Sequence, residues 1–187
     1  MAIEWQRIEP TTVTKVSYRT IVDKNFVLPD GSIHTFTTLH AEASLSAAVV
    51  ALTPDGLAIT ARQFRAGPER ILHEIPGGGV EAGEEPLQAA IRELAEETGY
   101  VPGAIVALGS SCRDAYTNSQ YYYFFATDCV LRPEGQALDE HEYIDVVLLS
   151  IPEFIAMAKQ DQMSDPAAVL FAYDKLIAYM SAETAVL

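Results

Sequence analysis

The sequence predicts an α/β fold in which helices pack on a mixed β-sheet. Three observations carry this expectation. The chain before Pro76 reads as strands separated by turn peptides, Pro76-Gly77-Gly78-Gly79 then breaks the pattern ahead of the clearest helical period in the chain, and strands resume before two further helices.

Taken in order, Thr12 through Val22 alternates weakly as a strand. Leu28-Pro29-Asp30-Gly31-Ser32 has turn composition, and Ile33 to Leu39 returns as the second arm of an N-terminal hairpin. Ala43 to Leu52 is apolar enough for a buried central strand. Thr53-Pro54-Asp55-Gly56 turns it into its partner, Leu57 to Phe64. A loop through Gly67 and Pro68 leads to a short strand around Ile71 to Ile75. In the helix that follows, Pro86 suits the first helical position, Glu84 and Glu85 lie at the positive end, and Gly99 is a C-terminal stop. Leu87, Ala90, Ile91, Leu94 and Ala95 form its apolar stripe. Strands are expected at Ile105–Ser110, Gln120–Asp128 and Ile144–Leu149, and helices at Ile151–Lys159 and from about Pro166 to Met180. The last of these places Val169, Leu170, Tyr173, Leu176, Ile177 and Met180 on one face.

The 187 residues fit one domain with a small appended piece, and no repeat or flexible linker divides them. A net charge of −14 argues against a nucleic-acid partner, because binding phosphates needs clustered Lys and Arg. No apolar run reaches the ~18 residues of a membrane span. The start, Met1-Ala2-Ile3-Glu4-Trp5, lacks the features of a signal peptide, so a cytoplasmic location is expected. Cys112 and Cys129 have no metal-like spacing and read as buried small hydrophobes.

Outside its apolar stripe the first helix carries Arg92, Glu93, Glu96 and Glu97. Intervals of three and four put the three carboxylates on one face, where like charges cost a few tenths of a kcal/mol per pair. A solvated acidic face tolerates that cost. The glycine-rich turn just ahead favours a ligand site instead, since backbone can approach a ligand closely there. Clustered Glu oxygens with a nearby carbonyl suit Mg²⁺ or Mn²⁺, ions that neutralise phosphate charge.

The spacing Gly78, five residues, Glu84, seven residues, Arg92-Glu93-Leu94, one residue, Glu96-Glu97, one residue, Gly99-Tyr100 resembles the Nudix box along its whole length. The final position, usually aliphatic, is Tyr100. The resemblance implies a Nudix α/β/α sandwich with a mixed sheet, here carrying the N-terminal hairpin as an extension over residues 1–42 ahead of a hydrolase domain over 43–187. It also implies roles. Glu93, Glu96 and Glu97 would be metal-binding carboxylates, with the Gly77 carbonyl a further ligand. Glu84 would support the site, and Arg92 would hold the carboxylates by charge-assisted hydrogen bonds.

Outside the box, Arg62-Gln63-Phe64-Arg65, Leu72-His73-Glu74-Ile75-Pro76 and the N-terminal hairpin resemble the ADP-ribose pyrophosphatase branch. Arg62, Arg65 and Glu74 would then contact the diphosphate, the ribose or a dimer partner, or be ordinary ion pairs. The branch's Ser-Pro-Gly and following Glu are replaced in Arg113–Gln120, where Ala115, Tyr116 and Gln120 stand. This widens the expected substrate from ADP-ribose to nucleoside diphosphates linked to another group, such as nucleotide sugars. Tyr116 is a candidate to stack on the base or sugar. In Leu138-Asp139-Glu140-His141-Glu142-Tyr143, Glu140 is expected to be the water-activating base and Glu142 a second candidate or added ligand. The resemblance further implies Mg²⁺ (or Mn²⁺) as cofactor, a small-molecule nucleotide as substrate and a homodimer. Alternatives are a Nudix pyrophosphatase for NADH or a damaged nucleoside triphosphate, and an inactive nucleotide-sensing module.

Overall fold

Ser17 adopts the left-handed conformation at φ 56, and this single turn splits the first expected strand in two. In the computed structural model, which describes residues 3–184, the N-terminal segment is therefore an antiparallel meander and not a hairpin. Strands β1 (Gln6–Val16), β2 (Arg19–Val27) and β3 (Ile33–Leu39) form a three-stranded sheet in that order. This sheet belongs to a compact unit that runs to Leu45 and also takes in Ser111–Tyr121. Within it, Asn118 donates to the Thr38 hydroxyl at 2.9 Å and to the His40 carbonyl at 2.8 Å, while Leu39 bridges Thr117. Cys112 is exposed here, contrary to expectation, on a segment that is mostly solvent-facing.

The second unit, Ser46–Ser110 with the chain from Tyr122 onward, is built on β4 (Leu45–Leu52) and β5 (Ala58–Arg65). Next come β6 (Arg70–Glu74), β7 (Gly77–Gly79), α1 (Pro86–Thr98), β8 (Tyr100–Val101) and β9 (Ala104–Cys112). The chain closes with β10 (Gln120–Thr127), β11 (Val130–Leu131), β12 (Asp145–Leu149), α2 (Ile151–Lys159) and α3 (Pro166–Thr184). The large sheet runs β12-β5-β4-β10-β9. Strands β6 and β7 are consecutive but divide their pairing, β6 on β5 and β7 on β4. They act as a wedge at the point where β4, paired with β5 only at Ala51 and Leu52, leaves it. The glycine stretch read as a break is thus a strand. A Cβ at Gly77 would lie 2.5 Å from the Ala48 Cβ, so only glycine allows this close pairing.

Helix α1 covers one face of the sheet. Ala89, Ala90 and Leu94 bury against Ala47, Val49, Ala51, Ile59, Phe124 and Ala126. The opposite face is covered by α2 and α3, with Phe154, Ala168, Ala172 and Leu176 buried and Phe171 stacked on Tyr123 at 4.6 Å. This is the α/β/α sandwich expected. The buried side of α3 differs from the expected stripe: Val169 and Leu176 are inside, while Leu170, Tyr173 and Ile177 are exposed. Ala168 and Ala172 share the buried face with Val169 and Leu176, and small side chains there allow a close approach to the sheet. No helix among the described residues is long and apolar enough to cross a membrane.

Candidate active site

Helix α1 begins with Pro86 at its first turn and ends at Gly99, which takes φ 76 and donates its N–H to the Ala95 carbonyl at 3.0 Å. Its apolar stripe locks it to the sheet, which turns Arg92, Glu93, Glu96 and Glu97 toward the glycine strand β7.

Arg92 is the centre of the arrangement. Its Nε and one terminal nitrogen donate to the two Glu84 oxygens at 3.0 and 3.1 Å. The other terminal nitrogen donates to Glu93 at 2.8 Å and Glu96 at 3.0 Å, and the Gly79 carbonyl accepts a further bond at 2.9 Å. Glu84 holds the guanidinium firmly protonated, and Arg92 in turn holds the Glu84 carboxyl below its ordinary range. The five donors of a planar guanidinium are what this geometry uses.

Glu97 sits deeper. It is 6% exposed, and its Oε2 accepts from the Gly77 N–H at 3.0 Å. Burial pushes its carboxyl up to about 8, and the negative charges of Glu93, Glu142 and Glu74 add to this while the Gly77 N–H opposes it. Burial raises Glu93 as well, against the pull of Arg92. A Cβ at Gly78 would overlap the Glu93 carboxylate, whereas Gly79 faces open space.

The acidic loop ahead of β12 divides its two candidates. Glu140 is exposed. Glu142 is half-buried, its carboxylate accepts from the Asp139 N–H at 3.1 Å, and its charge acts on both Glu93 and Glu97. Of the branch residues, Arg65 and the buried Glu74 form a two-pronged ion pair, with Arg65 Nε 2.6 Å from Glu74 Oε1. Arg62 lies on the other face of β5, since strand residues three apart point oppositely, and pairs with Asp145 at 2.8 Å. Tyr116, in the N-terminal unit, lines a cavity of about 390 Å³ with Trp5, Phe26, Phe36 and Lys24. Gln136 was not singled out from the sequence; its side chain donates to the Glu97 carbonyl at 2.6 Å and the Ile144 carbonyl at 3.2 Å.

The donor set fits a divalent cation chemically. Glu84, Glu93 and Glu96 face one guanidinium, and Glu97 lies buried on the same helix with the negative charges of Glu93, Glu142 and Glu74 acting on it. Arg92 holds Glu93 and Glu96, and the Gly77 N–H holds Glu97. As they stand, no three His, Cys, Asp or Glu among the described residues converge on one ion.

Residues 43–171 match the NUDIX domain family. The chain is 32% identical over 119 residues to the ADP-ribose pyrophosphatase of Bacillus subtilis (strain 168), a match spanning 63% of this chain and 64% of that protein. It is 31% identical over 124 residues to the methanol dehydrogenase activator of Bacillus methanolicus, covering 66% and 67% of the two chains. The crystal structure of an ADP compounds hydrolase shares the fold, with a TM-score of 0.75 at 18% identity over 93% of this chain and 98% of that one. With the box residues gathered around Arg92 and the sandwich around them, these likenesses show that the chain belongs to the Nudix family and is similar to its ADP-ribose pyrophosphatases.

Proposed function

We propose that the chain hydrolyses the pyrophosphate bond of a nucleoside diphosphate linked to another group, with ADP-ribose or a nucleotide sugar as substrate and Mg²⁺ or Mn²⁺ as cofactor. The observation that carries this reading is the buried Glu97, held by the Gly77 N–H beside the carboxylates that Arg92 tethers. Glu93, Glu96, Glu97 and the Gly77 carbonyl would hold the cation. When bound, it supplies positive charge against the pyrophosphate oxygens and acidifies water.

The chain's own groups do the rest. Arg92 holds Glu93 and Glu96 in place by hydrogen bonds, so that little reorganisation is needed on binding. A loop carboxylate takes one proton from the attacking water. The water oxygen bonds to one phosphorus and the bond from that phosphorus to the bridging oxygen breaks. A nucleoside monophosphate and a phosphorylated remainder leave. Glu142 is favoured over Glu140 as this base, because its charge already acts on Glu93 and Glu97. Arg65 and Glu74, on the α1 face, are proposed to contact substrate. Arg62, turned away from that face, is proposed to act at a partner surface in a homodimer. Tyr116 is proposed to take the base or sugar in a cavity whose walls offer aromatic faces. The small-molecule substrate fits a cytoplasmic enzyme.

Turnover of ADP-ribose, GDP-mannose, UDP-glucose and NADH in Mg²⁺ tests the reading, alongside Glu142→Gln and Glu140→Gln. One diphosphate-linked compound should be cleaved, with kcat reduced ~10²-fold or more in Glu142→Gln and within about twofold in Glu140→Gln. The reverse ranking would return the base to Glu140.

A further inference from the structure

The last turn of a helix leaves carbonyls that need donors from elsewhere. In α1, after Gly99 has taken the Ala95 carbonyl, the further donors among the described residues come from one segment. The Ala137 N–H reaches the Glu96 carbonyl at 2.8 Å, the Arg132 N–H reaches the Gly99 carbonyl at 2.8 Å, and the Gln136 side chain reaches the Glu97 carbonyl at 2.6 Å. Segment and helix end are in close contact, since a Cβ at Gly99 would lie 2.8 Å from the Gly135 carbonyl carbon. Arg132 braces the segment's own turn through its bond to the Gly135 carbonyl at 2.7 Å.

Gln136 does one thing the backbone donors do not. Its amide nitrogen carries two protons, and the second points to the Ile144 carbonyl at 3.2 Å. Ile144 is buried and leads directly into β12. One side chain therefore joins the entry of the acidic loop, its exit, and the carbonyl of the very residue whose carboxylate is buried at the site. Between these ties, among the described residues, the loop is braced by the Glu142 N–H to the Asp139 carbonyl at 3.0 Å and by the Asp139 N–H to the Glu142 carboxylate.

We infer that Gln136 is a positioning residue that closes the 137–143 loop on the last turn of α1 and so sets where Glu142 stands relative to Glu93 and Glu97. This rests on the proposed role of Glu142. Removing the tie leaves two carbonyls unpartnered and frees the loop exit from the helix. A displacement of about 1 Å is enough to cost on the order of 10²-fold in rate.

The test is Gln136→Leu, which keeps the bulk and loses both donors, with Gln136→Asn as a second variant whose amide is one methylene too short. Two readouts are taken on the full chain: kcat and KM with Mg²⁺, and amide hydrogen exchange across 138–143 in the absence of substrate. The inference expects kcat to fall at least about tenfold with KM within about twofold, and exchange in the loop to quicken while α1 stays protected. Unchanged loop exchange in both variants would overturn it, as would quickened exchange with kcat within about twofold of wild type. If the wild type cleaves no pyrophosphate at all, the hydrolase reading falls, and the exchange measurement alone decides whether Gln136 holds the loop.

Discussion

Replacing Glu97 with glutamine is expected to make the metal-free protein more stable at alkaline pH while abolishing its activity. The folded chain holds the Glu97 proton up to about 8, against an ordinary value of 4.5. Below 4.5 both folded and unfolded states are protonated, and the group has no effect on stability. Between 4.5 and about 8 the unfolded chain gives up its proton and the folded chain keeps it, so stability falls as pH rises. Above that window the loss is complete, on the order of 3–5 kcal/mol. The amide introduced by Glu97→Gln has no such proton to lose, and its oxygen can still accept from the Gly77 N–H that Glu97 now engages. Urea denaturation in EDTA from pH 5 to pH 9 reads the difference directly. The wild type should lose stability relative to Glu97→Gln across this range, by at least about half the full figure once water entry is allowed for. Adding Mg²⁺ should restore the wild type above pH 7, since a ligand that binds only the folded state stabilises it, and should do little for the variant. Parallel pH profiles for the two proteins in EDTA would refute the account of Glu97 as a buried, charge-starved carboxyl.

The two glycines at the cluster should separate sharply. Gly78→Ala drives a methyl group into the Glu93 carboxylate, while Gly79→Ala meets nothing. Activity assays should show a loss of ~10-fold or more for the first and within about twofold for the second, and equal effects would remove Glu93 from the site. Arg92→Lys keeps the charge but not the fork that grips Glu84, Glu93 and Glu96. Urea denaturation should show it less stable by about 1–3 kcal/mol, with lower kcat, and full retention of both would make Arg92 a surface ion pair.

The parts of this chain that were readable in sequence are those held by local rules. Helix α1 announces itself through Pro86, the apolar stripe and Gly99, and the same periodicity puts Glu93, Glu96 and Glu97 on one side. The turn at Ser17 did not show, because a left-handed serine leaves no compositional mark. The β6–β7 wedge was missed because three glycines look like a break until a neighbouring strand is close enough to demand them. In α3 the larger apolar residues suggested one buried face, yet Leu170, Tyr173 and Ile177 are exposed while Ala168 and Ala172 are buried with Leu176. The Arg62–Asp145 pair depends on β12, distant in sequence, lying beside β5, and the Arg65–Glu74 pair on the register of β5 with β6. Gln136 lies in a loop with no period at all, and its role exists only where the helix end and β12 meet.

The central claim is that carboxylates of α1 perform cation-dependent cleavage of a pyrophosphate. Turnover of ADP-ribose and the nucleotide sugars, with products identified, in Mg²⁺ and in EDTA, for wild type and for Glu97→Gln, tests it most directly. The account predicts a nucleoside monophosphate and a phosphorylated remainder from wild type in Mg²⁺, and neither in EDTA nor from a variant that is folded and more stable at pH 9. Cleavage that persists in EDTA, or that Glu97→Gln retains, would contradict it.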